Sequence, residues 1–223
     1  MLDNEIISKS EIRATYRKRS AHYDFTANLY YLIGFREWTY RRYAVDALGL
    51  QPGDTVVEIG CGTGLNFGLL QDAVGTEGRI IGVDLTDTML DKARQRVQDN
   101  GWTNVDLLLS DAAAFHFPEQ VGGILSTFAL TLVPEYDQVI QNGSRALAAG
   151  KRWVILDFKL PSNLFAHLAP VMAFLTRPFA VRMEMAERHP WESIERHLHN
   201  VQLTDLYGGF AYIAIGERGD GVE

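Results

Sequence analysis

The feature that most constrains the fold is a regular alternation of short apolar runs with amphipathic stretches of helical length. The runs follow turn signals such as "QPGD" at 51–54. They predict five buried strands at 55–60, 79–85, 105–111, 122–130 and 152–158, and the stretches between them predict helices at 64–74, 87–100 and 135–149. Alternation at this spacing predicts βαβ units, and therefore a parallel sheet that helices cover on both faces.

The end of the chain follows a different pattern. The β-type runs "VQLTDLY" and "FAYIAIG" flank Gly208 and Gly209, which predicts a tight hairpin and a last strand antiparallel to its neighbour. Before this hairpin, residues 159–200 form an apolar segment interrupted by prolines. We expect broken helices there that cover the carboxyl edge of the sheet, where open α/β folds bind their ligands.

Length, charge and cysteine content limit the class of protein. The 223 residues suffice for one α/β domain with a single core, so we expect one domain over 1–223. A net charge of −7 argues against nucleic-acid binding. Cys61 is the one cysteine, and neither a secretory h-region nor a long apolar run is present, so we expect a cytoplasmic protein.

Basic residues are concentrated in the N-terminal segment. Residues 1–45 hold eight Lys and Arg against five acids, whereas the rest of the chain is strongly acidic. Such a segment is either an ordinary solvated helix face or a surface that contacts an anionic membrane or substrate.

A glycine-rich loop, "EIGCGTGLNFG", follows the first strand and begins a helix. Glycine permits tight turns and close approach of a ligand to the backbone, and a helix start offers free N–H groups. A dinucleotide fingerprint, G-x-G-x-x-G, would require a third glycine where Leu65 or Phe67 stands. The loop instead has the pattern E-x-G-x-G-x-G.

With this loop the chain resembles the class I S-adenosylmethionine-dependent methyltransferases, most closely over 54–91. The resemblance implies a doubly wound, seven-stranded Rossmann-like sheet with an antiparallel last strand. It also implies that Asp84, at the end of the second strand, accepts the ribose hydroxyl protons, and that Asp111, after the third, lies near the adenine amine. A nicotinamide enzyme is the rival interpretation of the loop.

The resemblance implies S-adenosyl-L-methionine as cofactor and a set of residues that bind it. These are Tyr16, Tyr23, Glu58, Gly60, Cys61, Gly62, Thr63, Gly64, Asp84, Leu85, Met89, Asp111, Ala112, Ser126 and Thr127.

Several of these residues have simpler alternatives. Glu58 could cap a helix, although a buried carboxylate between apolar neighbours favours a cationic partner, for which the amino group of the ligand would serve. Asp84 could stabilise a turn and Asp111 could cap a short helix. Cys61 could be no more than a small residue in the loop.

The N-terminal pattern "TYRKRSAHYDFTANLYYLIG" resembles two subfamilies, the bacterial phosphatidylethanolamine N-methyltransferases and the ubiquinone/menaquinone C-methyltransferases. In both, a tyrosine-containing helix folds over the cofactor. The resemblance therefore implies that 1–45 is a helical lid carrying Tyr16 and Tyr23, unless these tyrosines pack on the domain surface.

The basic N-terminal segment and the apolar 159–200 segment favour a lipid-like or amphipathic acceptor. Methylation of a phospholipid-type amine is the first hypothesis, with C-methylation of a quinol next and a soluble small molecule third. An S-adenosylmethionine-binding regulatory module is the non-enzyme alternative. His22, Tyr23 and His189 are weak candidates for a catalytic base, and the histidine spacing predicts no metal site.

Overall fold

A computed structural model describes residues 9–19, 34–159, 161 and 188–220. Within these residues the strands are β1 (Thr55–Ile59), β2 (Arg79–Asp84), β3 (Val105–Leu109), β4 (Val121–Thr127), β5 (Leu147–Phe158), β6 (His199–Leu206) and β7 (Ala211–Glu217). The α-helices are α1 (Lys9–Arg19), α2 (Glu37–Ala47), α3 (Phe67–Val74), α4 (Asp87–Asp99), α5 (Tyr136–Ala146) and α6 (Pro190–His197).

The strands form one seven-stranded sheet in the order β3-β2-β1-β4-β5-β7-β6. The pairs among β1 to β5 are parallel, and β7 is antiparallel to both β5 and β6. The turn between β6 and β7 spans Tyr207–Gly209, and both glycines have positive φ. The predicted fold class, the antiparallel last strand and the glycine hairpin are confirmed.

Each face of the sheet is covered by its own set of helices, because successive strand residues point to opposite faces. One core joins Val57 and Trp153 to residues of α5 and α6. The other joins Val56 and Val154 to residues of α2, α3 and α4. Both faces are therefore buried, and the carboxyl ends of the parallel strands remain as the place where a ligand can enter.

Several predicted boundaries differ from the structure, and the differences at α3, β3, β4 and β5 are larger than one residue. Helix α3 begins at Phe67 rather than at 64, because Gly64 has a φ of 76° that a helix cannot include. Strand β4 ends at Thr127, since Phe128 has a φ of 55°, and a 3-10 turn replaces its predicted end. Strand β3 ends at Leu109 instead of reaching 111. Strand β5 begins at Leu147, where the sequence predicts helix, because that segment pairs with β4 through a register shift.

The described parts of the N-terminal segment differ in where they pack. Helix α1 contacts α4, whereas α2 places Ala44 and Val45, and the following Leu48, in the core. Of the 159–200 segment, α6 packs on α5 and the last two strands. Most of its remainder, and the N-terminal stretch 20–33, lie outside the described residues. None of the helices in the described ranges has the length and apolarity needed to cross a bilayer.

Candidate active site

A pocket lies at the carboxyl ends of β1, β2 and β4, in the position where open α/β sheets bind ligands. The ends of these strands form its floor, helix α1 borders it, and the segment after β4 forms an apolar wall. Its lining consists of Lys9, Tyr16, Ile59, Gly60, Gly62, Val83, Asp84, Leu85, Thr86, Met89, Ser110, Asp111, Ala112, Thr127, Phe128, Ala129, Leu132, Val133 and Pro134.

The glycine loop borders this pocket, and its three glycines have different reasons to be glycine. All three have positive φ, at 70°, 55° and 76° for Gly60, Gly62 and Gly64. A Cβ at Gly60 would lie 2.2 Å from the Cβ of Ala129, and one at Gly64 would lie 2.6 Å from the Phe67 ring. A Cβ at Gly62 would meet no atom within 4 Å. Gly62 therefore leaves open space beside the pocket, which suits a ligand in contact with the backbone.

Asp84 connects strand β2 to this loop. Its Oδ2 accepts a hydrogen bond from the Gly62 N–H at 2.8 Å, and its Oδ1 accepts one from the Thr86 N–H at 2.8 Å. Burial raises the pKa of the carboxyl group, and the backbone donors oppose that shift. Asp84 thus holds the backbone of Gly62 in place and also lines the pocket. The Thr86 hydroxyl and the Leu85 N–H also donate to this carboxylate. The structure thus shows the turn-stabilising role, and the ribose role stays a prediction.

Asp111 is held from two sides. Its Oδ1 accepts from the Ala113 N–H at 3.0 Å, so it caps the short 3-10 turn that follows. Its Oδ2 pairs with the ammonium group of Lys9, which also lies 2.9 Å from a carboxylate oxygen of Glu135. A second ion pair of helix α1 joins Arg17 to Asp87, the first residue of α4. Ion pairs therefore hold α1 beside the pocket.

Glu58 lies beneath the loop, buried to 1% exposure. Its Oε1 accepts from the Asn66 amide at 2.5 Å, and its buried Oε2 has no partner among the described residues. Burial raises the pKa of this carboxyl to about 7, while Asn66 and the charge of Arg41 oppose the shift. The sequence predicts a cationic partner for Glu58 and proposes the amino group of the ligand as that partner. The structure supplies a nearby cation in Arg41.

The structure brings most of the predicted cofactor residues together. Those that line the pocket are Tyr16, Gly60, Gly62, Asp84, Leu85, Met89, Asp111, Ala112 and Thr127. Those that lie outside its lining are Glu58, Cys61, Thr63, Gly64 and Ser126. Tyr23 and His22 are outside the described residues.

His189, a candidate base, is not among the residues that line the described pocket. Its ring stacks on Trp191 with centroids 4.5 Å apart, and its Nδ1 lies 2.8 Å from Glu192 Oε1. The described lining contains no imidazole. Across the described ranges, no group of three or more His, Cys, Asp or Glu side chains could hold a metal ion.

Sequence reasoning did not single out Lys9, Phe128 or the wall formed by Leu132, Val133 and Pro134. Lys9 is 102 residues from Asp111 in the chain, so no local pattern relates the two. The wall follows Phe128, where the predicted strand ends early. Residues that follow a strand at the carboxyl edge of the sheet are candidates for lining the pocket. The sequence predicts that β4 continues to residue 130, so the residues after the strand are not identified as candidates.

A model of the ubiE/COQ5 methyltransferase family matches residues 5–222. The chain belongs to this family. The match covers nearly the whole chain, including the glycine loop and the pocket. Family membership confirms the predicted methyltransferase, with S-adenosylmethionine as its cofactor, over the nicotinamide enzyme and the regulatory module.

Individual relatives agree with the family. The chain is 28% identical to "Ubiquinone/menaquinone biosynthesis C-methyltransferase UbiE" of Vibrio campbellii, over 94% of this chain and 88% of the relative. Among solved structures, geranyl diphosphate C-methyltransferase of Streptomyces coelicolor, in complex with S-adenosyl-L-homocysteine, is 16% identical with a TM-score of 0.61, covering 82% of this chain and 79% of that one.

A second solved structure has a different acceptor. It is phosphoethanolamine N-methyltransferase 2 of Haemonchus contortus in complex with phosphomonomethylethanolamine and S-adenosylhomocysteine, 16% identical with a TM-score of 0.67. The likeness covers 92% of this chain and 48% of that one. At these identities the two structures agree with this chain in fold, and that fold accommodates both carbon and nitrogen acceptors.

Proposed function

We propose that the protein transfers the methyl group of S-adenosylmethionine to a ring carbon of a quinol. The observation that carries this proposal is the family match over residues 5–222, in which the UbiE relatives are C-methyltransferases. The sequence alone favours a phospholipid-type amine over this alternative. Support for that first hypothesis comes from a distant N-methyltransferase structure with 16% identity, so the order of the two hypotheses is reversed here.

The pocket fits S-adenosylmethionine on two grounds. Gly62 leaves backbone and open space at its edge, and the carboxylates of Asp84 and Asp111 offer acceptors for hydroxyl and amine protons. When bound, the cofactor supplies an electrophilic methyl group on a sulfonium sulfur. In this proposal Asp84 binds the ribose, Asp111 lies at the adenine and the glycine loop contacts the methionine portion.

The contribution of the chain to catalysis is then positioning and exclusion of water. Methyl transfer needs an in-line approach of the acceptor atom, and a fixed, dry pocket supplies much of the acceleration. Phe128 and the wall of Leu132, Val133 and Pro134 present apolar surface at the pocket. Such surface favours a flat, apolar acceptor ring over a charged amine head group.

A membrane-dissolved acceptor also accounts for exposed aromatic residues on α2. The side chains of Trp38 and Tyr43 are 41% and 43% exposed, and exposed Arg42 lies on the same helix. Aromatic and cationic side chains of this kind are suited to a lipid interface. Peripheral contact with an anionic membrane is therefore part of the proposal.

The test is transfer of a labelled methyl group to acceptors offered separately. The acceptors are a quinol with an unsubstituted ring carbon in neutral vesicles, the same quinol in anionic vesicles, phosphatidylethanolamine vesicles and soluble phosphoethanolamine. We expect label in the quinol, with a higher rate in anionic vesicles. Label only in the amines would overturn the C-methylation proposal, and equal quinol rates in both vesicle types would overturn the membrane contact.

A further inference from the structure

Arg41 of helix α2 is buried directly behind the pocket, with 4% of its surface exposed. Its Nε donates to Glu37 Oε1 at 2.7 Å. Its Nη1 donates to Asn66 Oδ1 at 3.1 Å and to Thr127 Oγ1 at 2.7 Å. One guanidinium group thus joins the start of α3 to the end of β4, although neither element is near α2 in sequence.

The partners of Arg41 are themselves connected. The Asn66 amide donates to Glu58 Oε1 at 2.5 Å and to Thr127 Oγ1 at 2.9 Å. Because Arg41 and Asn66 both donate to the Thr127 hydroxyl oxygen, its hydrogen is directed away from both. Thr127 lines the pocket, and Asn66 ends the glycine loop. The network therefore determines how two elements of the pocket are held.

The charges of this network do not balance. It contains the carboxyl groups of Glu37 and Glu58 and one cation, Arg41. Arg41 pairs directly with Glu37 and reaches Glu58 through Asn66, while one oxygen of Glu58 has no described partner. A buried carboxylate with an unsatisfied oxygen is costly, so its ionisation depends on the remaining cation.

We propose that Arg41 is a positioning residue of the methyl-donor pocket, which holds Thr127, Asn66 and Glu58 in the arrangement that binds the donor. This inference rests on the donor pocket proposed above. Arg41 does not line that pocket and acts through its partners.

Arginine suits this position better than lysine. The planar guanidinium group donates in several fixed directions, whereas an ammonium group is a point charge with no fork. The same group lies 5.2 Å from the ring centroid of Phe128, which lines the pocket. Lysine would keep the charge and lose the simultaneous contacts with Glu37, Asn66 and Thr127.

The proposal includes a dependence on pH. The groups that face Glu58 are Arg41 from α2, Asp84 from β2 and the buried thiol of Cys61. The charge of Arg41 favours ionised Glu58, while burial and Asp84 disfavour it. Removal of the cation should raise the pKa of Glu58 further. Any pH dependence of ligand binding that arises from Glu58 should then move to higher pH.

The experiment measures binding of S-adenosylhomocysteine by calorimetry between about pH 6 and 9, together with thermal melting over the same range. The variants are Arg41→Met, Arg41→Lys, Glu58→Gln and the double variant Arg41→Met/Glu58→Gln. Arg79→Met is the matched control, because Arg79 is 57% exposed and pairs with Asp106 at the opposite edge of the sheet. The product ligand makes the result independent of the acceptor.

We expect Arg41→Met to weaken binding on the order of tenfold, a usual size for coupling between groups, and to move the midpoint of the pH profile upward. Arg41→Lys should bind less tightly than wild type with an unmoved midpoint. Glu58→Gln should flatten the profile. The double variant should melt above Arg41→Met at pH 8 and above, because one buried carboxylate, that of Glu37, lacks its cation there instead of two. Arg79→Met should behave as wild type.

Wild-type affinity and an unmoved midpoint in Arg41→Met would overturn the proposal. If Arg41→Met does not fold, Arg41→Lys decides, and wild-type affinity in that variant would overturn it as well. A wild-type protein that fails to bind S-adenosylhomocysteine would instead contradict the donor pocket itself. The two failures are therefore distinguishable.

Discussion

Alanine at position 62 should separate the folding of the glycine loop from its binding function. The backbone of Gly62 has a φ of 55°, and a Cβ placed there would meet no atom within 4 Å. The cost to folding is then the left-handed backbone alone, about 1–2 kcal/mol. For a domain of this size that cost lowers the Tm by about 2–8 °C.

Gly62→Ala should also weaken ligand binding, which a purely structural glycine would not do. Gly62 lines the pocket, and the added methyl group would occupy the open space where the backbone is accessible to a ligand. We expect Gly62→Ala to weaken S-adenosylhomocysteine binding by at least about tenfold, equivalent to ~1.4 kcal/mol. Calorimetry gives the affinity and a melting curve gives the stability of the same sample.

Two further alanine variants separate the effect of backbone strain on stability from the effect of the added methyl group on ligand binding. Gly101 has a φ of 67°, is exposed beyond the end of α4 and likewise has no atom within 4 Å of a Cβ. Gly101→Ala should therefore match the Tm loss of Gly62→Ala and bind normally. Gly60→Ala should be less stable than both, because its Cβ would lie 2.2 Å from that of Ala129. Wild-type affinity in Gly62→Ala, with a Tm like that of Gly101→Ala, would refute the reasoning.

Three other perturbations follow from single carboxylates. Asp84→Asn should weaken S-adenosylhomocysteine binding by about 1.5–3 kcal/mol in calorimetry, because in the proposed pocket it removes the charged acceptor for the ribose; unchanged affinity would contradict that proposed role. Burial raises the pKa of Asp157 to about 6, so ionisation costs the wild type stability as pH rises from 4 to 6. Urea unfolding of Asp157→Asn should show the variant gaining up to about 3 kcal/mol relative to wild type across that interval, and a constant difference would contradict the shift. Arg17 holds the pKa of Asp87 at about 2, so Asp87→Asn should accelerate tryptic cleavage within α1 at low salt, and an unchanged rate would contradict the ion-pair attachment of α1.

The sequence predicts the sheet and the glycine loop because both are coded locally. Strand runs, turn residues and loop glycines are short patterns, and their order along the chain determines a parallel sheet with an antiparallel hairpin. The pairing of β5 from Leu147 is not local. It depends on contacts with β4 that override the helical pattern at 147–149.

The charged groups of the site were harder to predict, because charge partners lie far apart in sequence. In the sequence, Arg41 is one of the basic residues of a segment that is expected to face solvent or a membrane. In the structure its side chain is buried, with 4% of its surface exposed, and pairs with Glu37. Lys9 and Arg17 from the same segment pair with Asp111 and Asp87. At least three of the eight cations in that segment therefore pair with carboxylates within the protein, which the total charge alone does not reveal.

The most direct test of the proposed activity is to locate the transferred methyl group. Enzyme and S-adenosylmethionine with a ¹³C-labelled methyl group would be incubated with anionic vesicles that contain both the quinol and phosphatidylethanolamine, and the lipid extract examined by NMR. Carbon-bound and nitrogen-bound methyl groups differ in chemical shift. We predict label on the quinol ring carbon, at a lower rate with Gly62→Ala when S-adenosylmethionine is not saturating, and label on the amine nitrogen would contradict the account.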